Sequence, residues 1–67
     1  MIKVGTVARL KINNVVGWFR VIVVQDVTKT GQADWIPHAD GEQLLEVRYT
    51  SGPVTGRYAF CGASDLI

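Results

Sequence analysis

The sequence predicts a small all-β protein, an antiparallel barrel of about five short strands. Short segments rich in β-branched and aromatic residues recur along the chain, most with alternating apolar and polar positions. Turn signals made of Gly, Asn and Pro separate these segments. No segment has the length and periodicity of a helix. Because closing a sheet removes its unpaired edges, a barrel is the arrangement that so short a chain favours.

Length and composition limit how such a chain is stabilised. The chain has 67 residues, 48% of them hydrophobic, which is enough for one domain spanning residues 1–67. Small domains usually need a disulfide, a metal or oligomerisation. Cys61 is the only cysteine and His38 the only histidine, so an internal disulfide is impossible and a Cys/His zinc site is not expected. We expect no cofactor, and either an efficient core or a partner chain that supplies burial.

Charge and hydropathy argue against two classes of protein: dedicated nucleic-acid binders, and secreted or membrane proteins. The net charge of +1 is far from the basic footprint of a dedicated nucleic-acid binder. The opening MIKVGTVARL lacks the apolar centre of a signal peptide, and no stretch is long enough to cross a membrane. The sequence therefore predicts a cytoplasmic protein with no membrane partner.

The segment Gly17–Asp26, GWFRVIVVQD, is predicted to be the central strand. In a strand, successive side chains point to opposite faces. Here one face carries Trp18, Arg20, Ile22 and Val24, and the other carries Phe19, Val21 and Val23. Both faces therefore need cover, which is typical of a central strand.

The other predicted elements flank this strand. They are strands at Val4–Ile12, Glu42–Thr50 and Arg57–Gly62, and a 3-10 turn within Ala63–Ile67. The core-facing positions are predicted to be Val4, Thr6, Ala8, Leu10, Ile12, Leu45, Val47 and Tyr49. The predicted turns are Asn13-Asn14, Asp40-Gly41 and Ser51-Gly52-Pro53 with Gly56.

The segment Gly31–Gly41 is predicted to be an irregular loop, since Pro37 disfavours both helix and sheet there. It contains two large apolar residues, Trp35 and Ile36. The favoured interpretation is that both fold back to plug an open barrel end, because burial of an indole is favourable. The alternative is that Trp35 stands out as a recognition residue.

Three segments, GWFRVIVVQDV, VRYTSG and SDLI, resemble the strand order of Src-homology-3-like (SH3-like) small barrels, and among them Tudor domains. The resemblance implies a five-stranded barrel with a 3-10 turn near the last strand. Tudor domains that bind methylated ligands hold a cation in a cage of aromatic rings. Phe19 and Tyr49 fall at two cage positions, but the other positions hold Lys11 or Ile12 and Pro53 or Val54, so packing roles are expected.

The ending RYAFCGASDLI is similar in layout to type II dihydrofolate reductases, which are tetramers around one pore. Their pore motif, Val-Gln-Ile-Tyr, is replaced by Thr55-Gly56-Arg57-Tyr58, so the resemblance implies no catalytic residue. The chain also resembles, without a shared motif, short proteins carried on mobile gene cassettes.

Few residues here suit catalysis. A Cys61–His38 dyad is not expected, since a small thiol on a strand is normally buried. Asp34, His38 and Asp40 match no established metal motif, so a solvated loop is favoured. We expect no catalytic and no metal-binding residue.

The sequence therefore predicts a non-enzymatic binding or scaffold module that forms a homodimer or tetramer. The predicted interface residues are Trp18, Ile22, Val24, Tyr58 and Phe60. The candidate ligand-binding residues are Phe19, Trp35, Tyr49, Arg57 and Tyr58. One alternative is a nucleic-acid or basic-peptide binder with Trp18, Arg20, Tyr58 and Phe60 as its platform. The other is a pore enzyme that repeats Arg48, Arg57 or Tyr58 around a symmetry axis.

Overall fold

The computed structural model describes residues 1–11 and 17–67, and it arranges them around one antiparallel sheet. The sheet has four strands in the order β1-β2-β3-β4, so each strand pairs with its neighbour in sequence. The strands are β1 (Val7–Lys11), β2 (Trp18–Asp26), β3 (Leu44–Tyr49) and β4 (Tyr58–Gly62). One 3-10 turn, Ala63–Asp65, follows β4. The all-β prediction is confirmed, and each strand lies within its predicted segment.

The main core lies on one side of β2 and β3. Val21 and Val23 are 0% and 1% exposed, and Leu45 and Val47 on β3 are fully buried beside them. Leu10 and Cys61 complete this cluster from β1 and β4. The register agrees, since Val23 pairs with Val47 across the two central strands. The predicted division of β2 and β3 into an inner and an outer side is therefore confirmed.

The end of the chain returns to β1 without forming a fifth strand. Leu66 makes an isolated bridge with Leu10, and the Ile67 N–H donates to the Arg9 carbonyl at 2.8 Å. The residues before Leu66 form the 3-10 turn, so the contact with β1 begins at Leu66. The predicted five strands and closed barrel are not confirmed in the described ranges, where the sheet stays open. The predicted strand position Ile12 and the Asn13-Asn14 turn lie outside the described residues.

The loop between β2 and β3 forms a second, smaller core. Val27, Ala33, Ile36 and Leu44 are buried together, and Phe60 packs against them. Trp35, by contrast, is 74% exposed. Its ring meets Phe60 edge-on at 6.3 Å, and its indole N–H donates to the Gln32 carbonyl at 2.9 Å.

The predicted plug is therefore correct for Ile36 and wrong for Trp35. Ile36 takes the buried position in the second core, among Val27, Ala33 and Leu44. The Trp35 N–H instead finds its acceptor within the loop itself, which allows the ring to remain at the surface.

Two carboxylates fix the ends of this loop. Asp26 accepts hydrogen bonds from the Thr28 hydroxyl at 2.6 Å and from the Gln43 amide at 2.9 Å. Glu42 accepts from the Ser64 hydroxyl at 2.6 Å and from the Ala39 N–H at 3.0 Å. Gln43 also exchanges two hydrogen bonds with the backbone of Ile2, so the same clip holds the N-terminal segment.

These contacts make the stability of the fold sensitive to acid. Hydrogen bonds from Thr28 lower the pKa of Asp26 to about 2, and those from Ser64 lower the pKa of Glu42 to about 2. A carboxylate with a lowered folded-state pKa stabilises the fold fully above its unfolded pKa of about 4. That stabilisation is lost as the pH falls through the folded value.

We therefore expect the melting temperature to be unchanged between pH 7 and pH 5 and to fall between pH 4 and pH 2. Circular dichroism melts across this range measure it. In Glu42→Gln the acid-induced fall should be smaller than in the wild type. The control is Asp40→Asn, since among the described residues the Asp40 carboxylate accepts no hydrogen bond. A wild-type melting temperature that holds to pH 2 would contradict this account.

Candidate functional site

The side of the sheet opposite the main core is only partly covered by the described chain. Strand pairing identifies its members, because paired residues share a face. Val7 pairs with Ile22, Ile22 with Arg48, and Arg48 with Tyr58. We call this side the outer face. Its members are Val7, Arg9, Lys11, Trp18, Arg20, Ile22, Val24, Glu46, Arg48, Tyr58 and Phe60.

Large apolar side chains on the outer face remain open to solvent. Trp18 is 42% exposed, Val7 60% and Tyr58 61%. Ile22 and Val24 between them are half-buried. Val24 lies at the irregularity where the β2–β3 register shifts, a local feature that bends a strand and re-aims side chains.

The end of the outer face formed by the β1–β2 hairpin is basic. The Arg9 guanidinium lies over the Trp18 ring, 4.9 Å from its centroid. Arg9 pairs with Arg20, and Lys11 pairs with Trp18, so three basic residues lie at neighbouring positions of the two strands, next to Trp18. A cation held over an indole in this way is attracted by the negative face of the ring.

The opposite end of the sheet, beneath the β2–β3 loop, carries most of the carboxylates. Asp34 and Asp40 are exposed in the loop, and Asp26 and Glu42 lie where the loop joins the strands. Lys29 and Lys3, which follows the clipped residue Ile2, also lie in this region and offset part of the negative charge. Charge is therefore separated along the strand direction, although the whole chain is nearly neutral.

On the inner side, the rings of Phe19 and Tyr49 come together. Their rings meet edge-on with centroids 5.9 Å apart, and they line an open cavity of about 270 Å³ with Leu10, Lys11 and Asp65. Lys11 and Asp65 contribute charges of opposite sign to the lining of this cavity. Tyr49 also packs against the main core.

Cys61 and His38 do not form a reactive pair. Cys61 is 3% exposed, and burial raises the pKa of its thiol to about 11, so the thiol stays protonated at neutral pH. His38 is exposed, and its Nδ1 donates to the Ile36 carbonyl at 2.6 Å. No group of three or more His, Cys, Asp or Glu residues that could hold a metal occurs in the described part of the chain.

Comparison with known proteins gives no assignment. No family model, curated protein or solved structure matches the chain significantly. Within ranges 1–11 and 17–67, no helix is long and apolar enough to span a membrane.

The predicted site residues fall into four places. The interface candidates Trp18, Ile22, Val24, Tyr58 and Phe60 share the outer face. Phe19 and Tyr49 lie on the inner side, Trp35 lies on the loop beside Phe60, and Arg57 is exposed just before β4. The candidate ligand-binding residues are therefore not gathered at one site.

Sequence reasoning missed the Arg9–Trp18 stack and the separation of charge. The sequence predicted only that Arg9 faces water. Its position beside the Trp18 indole follows from the strand register, in which Lys11 pairs with Trp18. The signal available in the sequence was local: Arg9, Lys11 and Arg20 lie before β2 or near its start, whereas Asp26, Asp34, Asp40 and Glu42 cluster at its end and after it.

The close approach of Gly52 to Phe19 gives a test of the inner side. A Cβ at Gly52 would lie 2.6 Å from the Phe19 ring, and φ is +81°. Gly56 in the same hairpin has φ +89°, but a Cβ there meets nothing within 4 Å. Gly52→Ala should therefore lose about 1–3 kcal/mol of unfolding free energy beyond Gly56→Ala, since both share the backbone strain and only one forces the ring to move. Urea titration of the two variants measures the difference, and equal losses would show that Phe19 is not seated against this turn.

Proposed function

We propose that the protein is a non-enzymatic binding or scaffold module that self-associates through the outer face. The supporting observation is the partial exposure of Trp18, Ile22, Val24 and Tyr58 on one side of the central sheet. Soluble monomers rarely expose a contiguous apolar patch of more than a few hundred Å². A second copy placed over this face would remove it from water.

The fold proposal that goes with this function is an SH3-like small barrel. Three features support it: the consecutive antiparallel strands, the 3-10 turn after β4 and the Leu10–Leu66 bridge that brings the chain end to β1. In such a barrel the inner side forms the core, and the outer side of β2 and β3 is free for a partner.

The proposal is tested by placing a charge in the middle of the outer face. Ile22→Glu should convert the assembly into a particle of one 7.4 kDa chain, because burying an unpaired carboxylate in an interface is costly. The introduced carboxylate lies opposite Arg48 in its own chain, so the monomer should fold. Light scattering at micromolar concentration measures the mass.

The matched control is Ile67→Glu. Ile67 is 61% exposed and hydrogen-bonds to the far edge of β1, away from β2. The Ile67→Glu variant should therefore keep the mass of the wild-type assembly. A wild-type mass equal to one chain at these concentrations would refute self-association.

A second candidate function, single-stranded nucleic-acid binding, is favoured by the Arg9–Trp18 stack. Aromatic rings beside cations form a platform on which bases stack while the cations contact phosphates. Trp18 and Tyr58 provide rings, and Arg9, Arg20 and Arg48 provide charge on the same face. The acidic loop and the near-neutral net charge place this candidate second.

Titration with a fluorescently labelled single-stranded oligonucleotide tests this candidate. If the face binds nucleic acid, binding at 50 mM salt should weaken as salt is raised, and Trp18→Ala should weaken it about tenfold. Trp35→Ala is the control, since Trp35 is the more exposed of the two indoles but lies at the acidic end. Absence of binding by the wild-type protein at 50 mM salt would eliminate the candidate.

A further inference from the structure

We infer that two copies of this chain pair outer face to outer face about a two-fold axis that crosses the strands, so that the basic end of each copy covers the acidic end of the other. The inference rests on the proposed self-association and adds the orientation of the partner. It follows from the distribution of charge on the face and from the positions of Glu46 and Arg48.

Two simple two-fold axes can relate sheets that pack face to face. An axis that runs along the strands places the basic hairpin end of one copy over the same end of the other. Arg9, Lys11 and Arg20 would then face their own equivalents, and like charges opposed across an interface cost several kcal/mol. An axis that crosses the strands reverses the strand direction and opposes the basic end to the acidic loop. Charge therefore selects the crossing axis.

The centre of the face is self-complementary about the same axis. Glu46 and Arg48 are two residues apart on β3 and share the outer face, with buried Val47 between them. A crossing axis near Val47 places Glu46 opposite the partner's Arg48 and Arg48 opposite the partner's Glu46. Each pairing therefore occurs twice in the dimer, which is the property of an isologous interface.

The same operation matches the apolar positions on both sides of β3. Arg48 shares a row with Ile22 and Tyr58, and Glu46 shares a row with Phe60 and lies next to Val24 at the register shift. Exchanging these rows sets Ile22 against the partner's Val24. It sets Tyr58 against the part of the partner's Phe60 that the loop leaves open, since Phe60 is half-buried. Apolar side chains meet apolar side chains, and the charged pair lies between them.

A charge exchange on β3 tests the orientation. Arg48→Glu places a carboxylate opposite the partner's Glu46, and Glu46→Arg places a guanidinium opposite the partner's Arg48. Each single variant creates two like-charge contacts in every dimer, so each should raise the dimer Kd about tenfold or more at low salt. The double variant, Glu46→Arg with Arg48→Glu, restores both attractions and should return the Kd to within about threefold of the wild-type value.

Sedimentation velocity over a dilution series gives the four Kd values, and urea unfolding of each variant confirms that the monomer is folded. A wild-type protein that associates, with a double variant no tighter than the single variants, would overturn the crossing axis and leave self-association standing. A wild-type protein that remains one chain would overturn the proposed function itself. The salt dependence supplies a second readout, because the wild-type dimer should weaken as salt screens the paired ends.

Discussion

The structure depends on one constraint in β2: the strand carries large apolar side chains on both faces. The described chain fully buries those of one face, whereas Ile22 and Val24 on the other are half-buried and Trp18 is exposed. Val21 and Val23 take the covered side and pack against Leu45 and Val47 in the main core. Burying each of these side chains contributes about 1.5–3 kcal/mol relative to exposure. For so short a chain this cluster is the principal source of stability. The other side of the strand is covered only by residues that the cluster does not use.

The loop between β2 and β3 provides this cover, and it covers only one end of the outer face. Ile36 and Leu44 bury themselves there beside Phe60, and the Glu42–Ser64 hydrogen bonds anchor the loop to the 3-10 turn. Gly62 makes this possible, since the Glu42 carboxylate occupies the space that a Cβ at Gly62 would need. The loop also carries Asp34 and Asp40 to that end. The covered part of the outer face and the negative charge therefore lie at the same end of the sheet. Trp18 lies at the other, basic end with Arg9.

The strands could be predicted because side-chain alternation and turn residues are local signals. The alternation of β3 and the Gly52–Gly56 hairpin were read correctly for this reason. The open sheet could not be predicted, since the number of residues that pair with β1 depends on where the 3-10 turn ends. The exposure of Trp35 was not predicted, because it depends on which of the two neighbours, Trp35 or Ile36, takes the buried position. Packing decides that, and composition does not. The outer-face membership of Trp18, Ile22 and Tyr58 was predicted, but their setting among Arg9, Arg20 and Arg48 depends on register, which one sequence does not specify.

The central claim is that the outer side of the sheet, and not the inner side, contacts a second copy. The most direct measurement is a two-dimensional amide NMR spectrum recorded from millimolar to low micromolar protein. The account predicts that resonances of Ile22, Arg48 and Tyr58 shift together with dilution, whereas those of Leu10 and Leu66 stay fixed. Shifts confined to Leu10, Leu66 and the Phe19–Tyr49 side, or no shifts at all, would contradict it.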